Sequence, residues 1–447
     1  QQTWIKSLGI EWFAGVDGIS LFLVVLTGLL FPFVVIAINP KHDHKAYYIW
    51  IQLLQTGCMG VFVSLDLFMF FVFFEIVLIP MYFLIGKWGH GNAQYAATKF
   101  FLYTMFGSAL MLVSIVSLAV LHAQNSDSEL TFNLLEIATN PAIATNTSRL
   151  LFLGFALAFA VKVPLFPVHT WLPDAHVQAP TAGSMLLAGV MLKMGAYGFL
   201  RIAVTALPES TIAFIPLLIF LGMVSLVYGA WVCMGQTNLK RMVAYSSVSH
   251  MGLIFLGIAT MQPLGIAGAL FMMFAHGIIS PLLFAVAGAF KHHYHTLEIG
   301  SMRGIAHHSP WLAGHMMLGW MASLGLPLLA GFVAEVTILI AFWMTFGWLV
   351  LLPALTLIIT AVYYLTSMQK TIFESDDPHH GILPESLHGE DPSDITWHEN
   401  AGMLILGAFT VLFGILPFIF WDMMSDWSSG FTVETLIDAM HSQEWKP

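Results

Sequence analysis

The feature that most constrains this chain is a succession of about twelve apolar runs, bounded by glycine, proline and charged residues. A helix needs about 20 apolar residues to cross a bilayer, whereas each strand of a membrane barrel needs about ten residues of alternating polarity. The runs fit the helix, so the chain is predicted to be an all-α, multi-pass membrane protein. The predicted spanning segments are 18–38, 46–64, 67–86, 97–121, 149–178, 182–204, 212–233, 242–258, 264–290, 311–345, 348–371 and 401–421.

Composition excludes several other classes. Of the 447 residues, 58% are hydrophobic and 9% are charged, while a soluble domain has about 25% charged residues. Two cysteines are too few for a disulfide framework or a four-cysteine zinc or iron–sulfur site. A net charge of −10 with few basic residues argues against nucleic-acid binding.

Two of the predicted segments are interrupted internally, at residues 162–167 and 324–331, where proline and glycine cluster. Proline removes a backbone donor and clashes with the preceding turn of a helix. The backbone groups that such a break frees cannot be satisfied by lipid, so both breaks are expected to lie within protein or beside water.

The spacing of the breaks predicts two five-helix units, 46–204 and 212–371, each with its fourth helix broken. An odd number of helices gives the two units opposite orientations, as in the inverted repeats of transporters. Residues 1–45 are then an N-terminal segment with the first helix. Residues 372–447 form an acidic loop with the C-terminal helix.

Loop charges predict the orientation of the chain. If the helices alternate, nine lysines and arginines lie at one side, which the positive-inside rule makes cytoplasmic. They are Lys41, Lys45, Lys87, Lys99, Lys240, Arg241, Lys291, Arg303 and Lys370. The opposite side has only four such residues, Lys6, Arg149, Arg201 and Lys446. Both ends of the given sequence are therefore expected on the periplasmic side.

Four ionisable residues fall within apolar runs: Glu75, Lys162, Lys193 and Glu335. Charges at bilayer depth are costly and are functional candidates by default. Lys162 is expected to end one half-helix and Glu335 to open another, where the helix dipole favours a cation and an anion respectively. The structural alternatives are an ion pair of Glu75 with Lys162, and side chains that reach the interface or cap a half-helix.

Two histidines in apolar helices, His250 and His276, extend this set. Together with Lys162, Lys193 and Glu335 they predict a lateral proton relay between the two units, bridged by water. The alternative for each histidine is a hydrogen-bonded packing residue.

Other polar residues have simpler interpretations. Five histidines crowd one cytoplasmic loop, where a solvated loop is favoured over a metal site: His292, His293, His295, His307 and His308. The acidic stretch 374–400 is interpreted as a solvated connector, with a docking surface for a neighbouring subunit as the alternative. Asp66 fits a helix start, and Asp174 fits either a helix cap or the mouth of a channel.

Several stretches resemble one family, the antiporter-like NuoM-type membrane subunits of respiratory complex I, which are related to Mrp cation/proton antiporters. The stretches are 15–20, 74–89, 99–104, 162–184, with its His-Thr-Trp-Leu-Pro-Asp-Ala-His run, and 331–335. The resemblance runs from about residue 16 to the last helix. It implies a proton-translocating module of a proton-pumping NADH:quinone oxidoreductase, located in the inner (plasma) membrane.

The resemblance also implies roles for single residues. Glu75 matches the family's glutamate that pairs with the lysine of the first broken helix, Lys162. Lys193 matches the bridging lysine, and Glu335 matches the terminal glutamate of the second broken helix. His250 and His276 match positions on the polar axis. Members of the family have about fourteen helices, so two further helices are expected before Gly18 in missing upstream sequence.

No nucleotide, haem or metal motif occurs in the sequence, so no cofactor or metal is expected in this chain. The resemblance places NADH, FMN, iron–sulfur clusters and quinone in partner subunits. The partners it implies are other membrane-arm subunits, with lipid around the chain and protons as the transported species. Two alternatives stay open: an Mrp-type Na⁺/H⁺ antiporter subunit, and the equivalent subunit of a ferredoxin-, deazaflavin- or hydrogenase-linked complex.

Overall fold

A computed structural model describes residues 1–37, 40, 42–139, 143–301, 303–373 and 393–429, with the backbone only for 424–429. Within these residues the fold is almost entirely helical, which confirms the predicted class. The helices are α1 (Leu21–Ala37), α2 (His44–Val63), α3 (Leu67–Ile76), α4 (Leu78–Trp88), α5 (Ala93–Ser126), α6 (Leu134–Thr139), α7 (Thr145–Lys162), α8 (Trp171–Gln178), α9 (Thr181–Leu186), α10 (Leu192–Gly198), α11 (Pro208–Ala213), α12 (Ile215–Met234), α13 (Leu239–Ala259), α14 (Pro263–His293), α15 (Ile305–His308), α16 (Pro310–Ser323), α17 (Ala330–Phe346), α18 (Leu351–Met368), α19 (Trp397–Ile415) and α20 (Phe418–Ser429).

Nine helical stretches of the described chain are long and apolar enough to cross a membrane. They are His44–Val63, Leu67–Trp88, Ala93–Ser126, Thr181–Val204, Ile215–Met234, Leu239–Ala259, Pro263–His293, Ala330–Phe373 and Trp397–Ile415. The stretch Ala330–Phe373 contains both α17 and α18, and α1 and α7 are further apolar helices. Each of the twelve predicted segments therefore corresponds to a helix or to a broken pair of helices.

Two predicted helices are interrupted where proline removes a backbone donor. The helix predicted over 67–86 is divided at Val77 into α3 and α4, three residues before Pro80. The segment predicted over 401–421 is divided into α19 and α20 at Leu416, just before Pro417. In both places the amide that would continue the helical hydrogen bonding is missing.

Both predicted breaks are present. The first broken helix consists of α7, which ends at Lys162, and α8, which begins at Trp171. The second consists of α16, which ends at Ser323, and α17, which begins at Ala330. Each is the fourth membrane segment of its predicted unit in chain order, while the inverted relation of the two units stays a prediction.

The helices α13 and α14 and the segment that contains α9 and α10 form the buried centre of the molecule. The last of these segments includes two π-helical stretches, Leu187–Met191 and Phe199–Val204, on either side of α10. A π-helical turn inside an α-helix often marks a functional position. At the N-terminus, strands β1 (Gln2–Ile5) and β2 (Ile10–Trp12) form an antiparallel hairpin.

Some predictions concern residues that the structure does not describe. Lys41, Lys446 and the acidic stretch 374–392 lie outside the described residues, as does much of the predicted segment 372–447.

Candidate functional site

Lys193 occupies the centre of the site. It lies on α10 between the two π-helical stretches and is completely buried. Its Nζ donates to the carbonyl oxygen of Ala188 and lies 2.7 Å from Nδ1 of His276. Because an amino group that donates to Nδ1 requires a lone pair there, the His276 proton is assigned to Nε2.

A file of polar side chains continues from His276 through the second unit. Its Nε2 lies 3.2 Å from the Ser247 hydroxyl, and the His276 and His250 ring centroids are 5.5 Å apart. The Nε2 of His250 lies 3.2 Å from the Ser323 carbonyl oxygen and 3.7 Å from the Glu335 carboxylate. The structure therefore brings four of the predicted residues together in the order Lys193, His276, His250 and Glu335, which we call the central file.

A small cavity lies along this file. Its lining includes His250, His276, Ser280, Ser323 and Glu335, and its volume is about 10 Å³. That is close to the volume that one water molecule requires. The Nδ1 of His250 and one oxygen of Glu335 are buried without a protein hydrogen-bond partner. A single water molecule would therefore fit where the file lacks direct contacts.

The position of Glu335 differs from the prediction. Glu335 is the sixth residue of α17, which begins at Ala330 and has no acidic residue in its first turn. The prediction that Glu335 opens a half-helix and interacts with its free amides is therefore wrong. Instead the carboxylate lies over Gly325, where an added Cβ would come within 2.1 Å of it.

Lys162 lies in a different environment, although it ends α7 as predicted. Its Nζ has no hydrogen-bond partner and lies 4.7 Å from the ring centroid of Phe74 and 6.0 Å from that of Phe100. Glu75 is close enough for electrostatic attraction, but no ion pair within 4.0 Å joins the two side chains. The alternative of a direct structural ion pair is therefore wrong in this conformation.

Two side chains, one on α8 and one on α12, satisfy backbone groups around the first break. The indole of Trp171 donates to the Val161 carbonyl oxygen at 2.9 Å, and the amide of Phe166 donates to the Ser225 hydroxyl at 2.9 Å. These bonds replace helical hydrogen bonds that the break removes. The break is thus held within protein, as expected from the sequence.

Lys162 and Lys193 lie on packed helices without direct contact between their amino groups. A Cβ added at Gly195 on α10 would lie 3.0 Å from the Lys162 Cβ and 2.7 Å from Val163. Only glycine allows α10 to pack this closely on α7. The partners of the Lys193 nitrogen are Ala188 and His276, whereas that of Lys162 has none.

Two buried residues near the file were missed by the sequence analysis as site candidates. His176 is fully buried, and neither of its ring nitrogens has a hydrogen-bond partner. It is within electrostatic range of both Lys193 and Lys240. Lys240, interpreted as a loop charge, is buried and donates to the Ala179 carbonyl oxygen at 2.6 Å. His176 lies near the end of the predicted segment 149–178 and Lys240 just before the segment 242–258, so the sequence did not show that both are buried.

Beside Lys240 a polar cavity of about 280 Å³ is lined by Gln236, Thr237, Asn238, Arg241 and Glu298, among others. These residues belong to the side of the molecule predicted to be cytoplasmic. Val177, next to His176 in the chain, and Arg241, next to Lys240, also line this cavity.

The carboxylates at helix starts have separate roles. Asp66 caps α3 by accepting the amides of Phe68 and Met69, as predicted. Asp174 instead pairs with Lys99 at 2.7 Å, and the side chain that precedes α8 makes no cap, so the cap interpretation is wrong.

Asp17 ties the N-terminal segment to the π-helical stretch after α10. Its carboxylate pairs with Arg201 at 2.5 Å. Burial raises the pKa of the Asp17 carboxyl, but Arg201 outweighs burial and leaves that pKa below its ordinary value. The end of the helix that contains Lys193 is therefore anchored by an ion pair.

Three comparisons with known proteins support one family. Residues 64–360 match the family described as "NADH:quinone oxidoreductase/Mrp antiporter, TM". The chain is 40% identical over 365 residues to "NADH-quinone oxidoreductase subunit M" of Rickettsia prowazekii, which covers 81% of this chain and 73% of the relative. A chain of respiratory complex I from Thermus thermophilus superposes with a TM-score of 0.87 at 32% identity, covering 98% of this chain and 89% of that one.

A chain of the Mrp complex from Dietzia sp. is also similar, with a TM-score of 0.81 at 20% identity. The match covers 95% of this chain and 88% of the Dietzia chain. At this identity the likeness concerns the fold alone.

Proposed function

The chain belongs to the NADH:quinone oxidoreductase/Mrp antiporter membrane family, and from this membership we propose a route by which it translocates protons. It is a membrane-arm subunit of a proton-pumping NADH:quinone oxidoreductase, similar to subunit M over most of its length. The Mrp likeness, at 20% identity, does not favour a free-standing antiporter over this assignment. NADH, FMN, iron–sulfur clusters and quinone are assigned to partner subunits. The chain lies in the inner (plasma) membrane, with both ends of the given sequence on the periplasmic side.

The observation that supports the route is the central file. Lys193 contacts His276 directly at 2.7 Å, and the file continues over Ser247 and His250 to Glu335 in an apolar interior. Each member can both accept and release a proton. Such groups, in direct contact or bridged by one water molecule in the cavity beside them, form the arrangement that stepwise proton transfer requires.

Protons enter from the cytoplasmic side in this proposal. The polar cavity beside Lys240 admits water, and Lys240 and His176 connect it electrostatically to Lys193. From Lys193 the proton passes to Nδ1 of His276, while the proton on Nε2 moves on toward Ser247 and His250. Glu335 is the last acceptor, from which the proton leaves to the opposite side.

Glu75 and Lys162 control the transfer rather than form part of the connected file. The Lys162 amino group makes no hydrogen bond that its movement would break. A change of charge in a neighbouring subunit can therefore move it toward or away from Glu75. The approach of this cation to Lys193 on the packed helix α10 favours release of the Lys193 proton to His276, because like charges repel.

The free energy for transport must come from the partner subunits. Moving one elementary charge against a membrane potential costs about 2.3 kcal/mol per 100 mV. No group in the proposed route supplies such energy, since the route only accepts and releases protons. Electron transfer elsewhere in the complex is the source.

Substitution of Lys162 tests the proposal. The complex that carries Lys162→Ala is expected to translocate at least about tenfold fewer protons per NADH oxidised, because the controlling charge is gone. The measurement is proton uptake by proteoliposomes with a pH-sensitive dye. Lys87→Ala, at an exposed lysine paired with Asp43, is the control and should pump normally. Undiminished pumping in Lys162→Ala would remove Lys162 from the mechanism.

A further inference from the structure

A second group of ionisable side chains lies away from the central file, at the predicted cytoplasmic end of α14. His292 and His293 are the last two residues of this helix, and Glu399 is the third residue of α19. The sequence favoured a solvated loop for these histidines; Glu399 is more than one hundred residues away along the chain. We call these three residues the histidine–carboxylate cluster.

The distances within the cluster match those of a metal site. Nδ1 of His292 lies 3.0 Å from one oxygen of Glu399, and Nε2 of His293 lies 2.9 Å from the other. All three candidate ligand atoms lie within 4.8 Å of one another. Two ligand atoms bound tetrahedrally to zinc are about 3.3 Å apart, because each bond is close to 2.0–2.1 Å. Small side-chain rotations are therefore enough to place an ion between them.

Neighbouring groups hold the ligands in place. The second ring nitrogen of His293 lies 3.2 Å from the Ser393 hydroxyl, and metal-binding histidines usually bond their second nitrogen in this way. Glu399 takes part in a capping box with Thr396, whose amide it accepts at 2.9 Å. A carboxylate fixed by its own helix needs little further ordering when an ion binds.

The electrostatics and the exposure of the cluster also favour a cation. The C-terminus of a helix, here α14, stabilises positive charge, and the carboxylate supplies a negative one. The side chain of His293 is 6% exposed, that of Glu399 16% and that of His292 60%. The cluster is thus formed mainly inside the protein with one ligand facing solvent, which provides an entry path and room for a water as fourth ligand.

We propose that His292, His293 and Glu399 form a binding site for a divalent zinc ion that links the end of α14 to the start of α19. Two imidazoles and one carboxylate with an open fourth position are a ligand set that zinc accepts. The ion replaces the protons shared between the imidazoles and the carboxylate.

The bound ion would act on the structure of the pump rather than on its chemistry. The helix α14 contains His276 of the central file, and α14 packs against α19. An ion that joins the ends of these two helices restrains their relative movement. Zinc is therefore expected to raise the thermal stability of the assembled complex.

Zinc binding to the purified, chelator-treated complex tests this site. Equilibrium dialysis should show one zinc ion fewer per complex in His292→Ala/His293→Ala than in the natural protein. Thermal stabilisation by zinc should be lost in the same variant. His307→Ala, which removes an exposed histidine outside the cluster, is the matched control and should bind as the natural protein does.

A second variant distinguishes loss of the zinc site from failure of the complex to assemble. Glu399→Gln keeps a residue suited to the capping box but removes the ligand charge. It should weaken this one site about 10–100-fold, by analogy with the loss of supporting groups around zinc. Equal zinc stoichiometry and affinity in the natural protein and Glu399→Gln, or in the double histidine variant, would overturn the proposal. The result is independent of whether Lys162 controls pumping.

Discussion

At the first broken helix the amino group of Lys162 has no hydrogen-bond partner and faces the rings of Phe74 and Phe100. At the second broken helix the Glu335 carboxylate faces His250 at 3.7 Å, at one end of a file that reaches Lys193. No hydrogen bond holds the first charge, whereas the second faces a histidine of the central file. In the proposed route, this difference makes the first break the one that controls proton transfer and the second break the one that conducts it.

The two breaks also differ in how their backbones are held. At the first, side chains from other parts of the fold satisfy freed groups, as Ser225 does for the amide of Phe166. At the second, the turn depends on Gly325, whose φ of +79° is unfavourable for other residues. A change at either place should therefore affect stability, but only the second directly displaces a member of the central file.

The largest effect is expected at the conducting break. Glu335→Gln keeps the shape of the side chain but removes its ability to accept a proton, so proton translocation per NADH should fall about tenfold or more. Proteoliposomes containing the assembled complex provide the measurement. Glu209→Gln, at an exposed glutamate of α11, should leave pumping unchanged. A Glu335→Gln complex that pumps as well as the control would show that this break does not conduct.

A smaller effect is expected from Gly325→Ala. The added Cβ would meet the Glu335 carboxylate at 2.1 Å, and the left-handed backbone conformation adds about 1–2 kcal/mol of strain. Thermal inactivation should therefore occur at a lower temperature, with slower pumping because the carboxylate is displaced. Gly314→Ala has no atom within 4 Å of its added Cβ and serves as the control. Similar behaviour of both variants would contradict the role assigned to the Gly325 turn.

The smallest effect is expected at the first break from Ser225→Ala. This change leaves the Phe166 amide without its acceptor and should lower the free energy of unfolding by about 1 kcal/mol. Pumping per NADH should be nearly normal, because Lys162 itself is not displaced. The comparison variant is Thr56→Ala, whose exposed hydroxyl only bonds within its own helix. A large pumping defect in Ser225→Ala with normal stability would contradict the difference proposed between the two breaks.

Much of the fold was predictable because membrane helices are encoded locally. The length of each apolar run and the prolines near Lys162 and in 324–331 were enough to place the helices and both breaks. The division at Val77 was not anticipated, although Pro80 is its visible cause. Helix ends were less accurate, since α5 extends to Ser126 and not to residue 121.

The candidate site was predictable as a set of residues but not as an arrangement. Burial of a charge is visible in the sequence, because Lys193 and Glu335 interrupt apolar runs. Contact is not, since Lys193 meets His276 from a helix more than eighty residues away. The proximity of His176 to Lys240 and the contact of His293 with Glu399 depend in the same way on how distant helix ends meet.

Proton translocation by a complex with Lys193→Met tests the central claim most directly. Methionine keeps the length and the apolar stem of the side chain but has no exchangeable proton, so the proposed route is cut between Lys240 with His176 on one side and His276 on the other. The proton-to-NADH ratio in proteoliposomes is predicted to fall well below that of the natural complex. An unchanged ratio in a fully assembled Lys193→Met complex would contradict the proposed route.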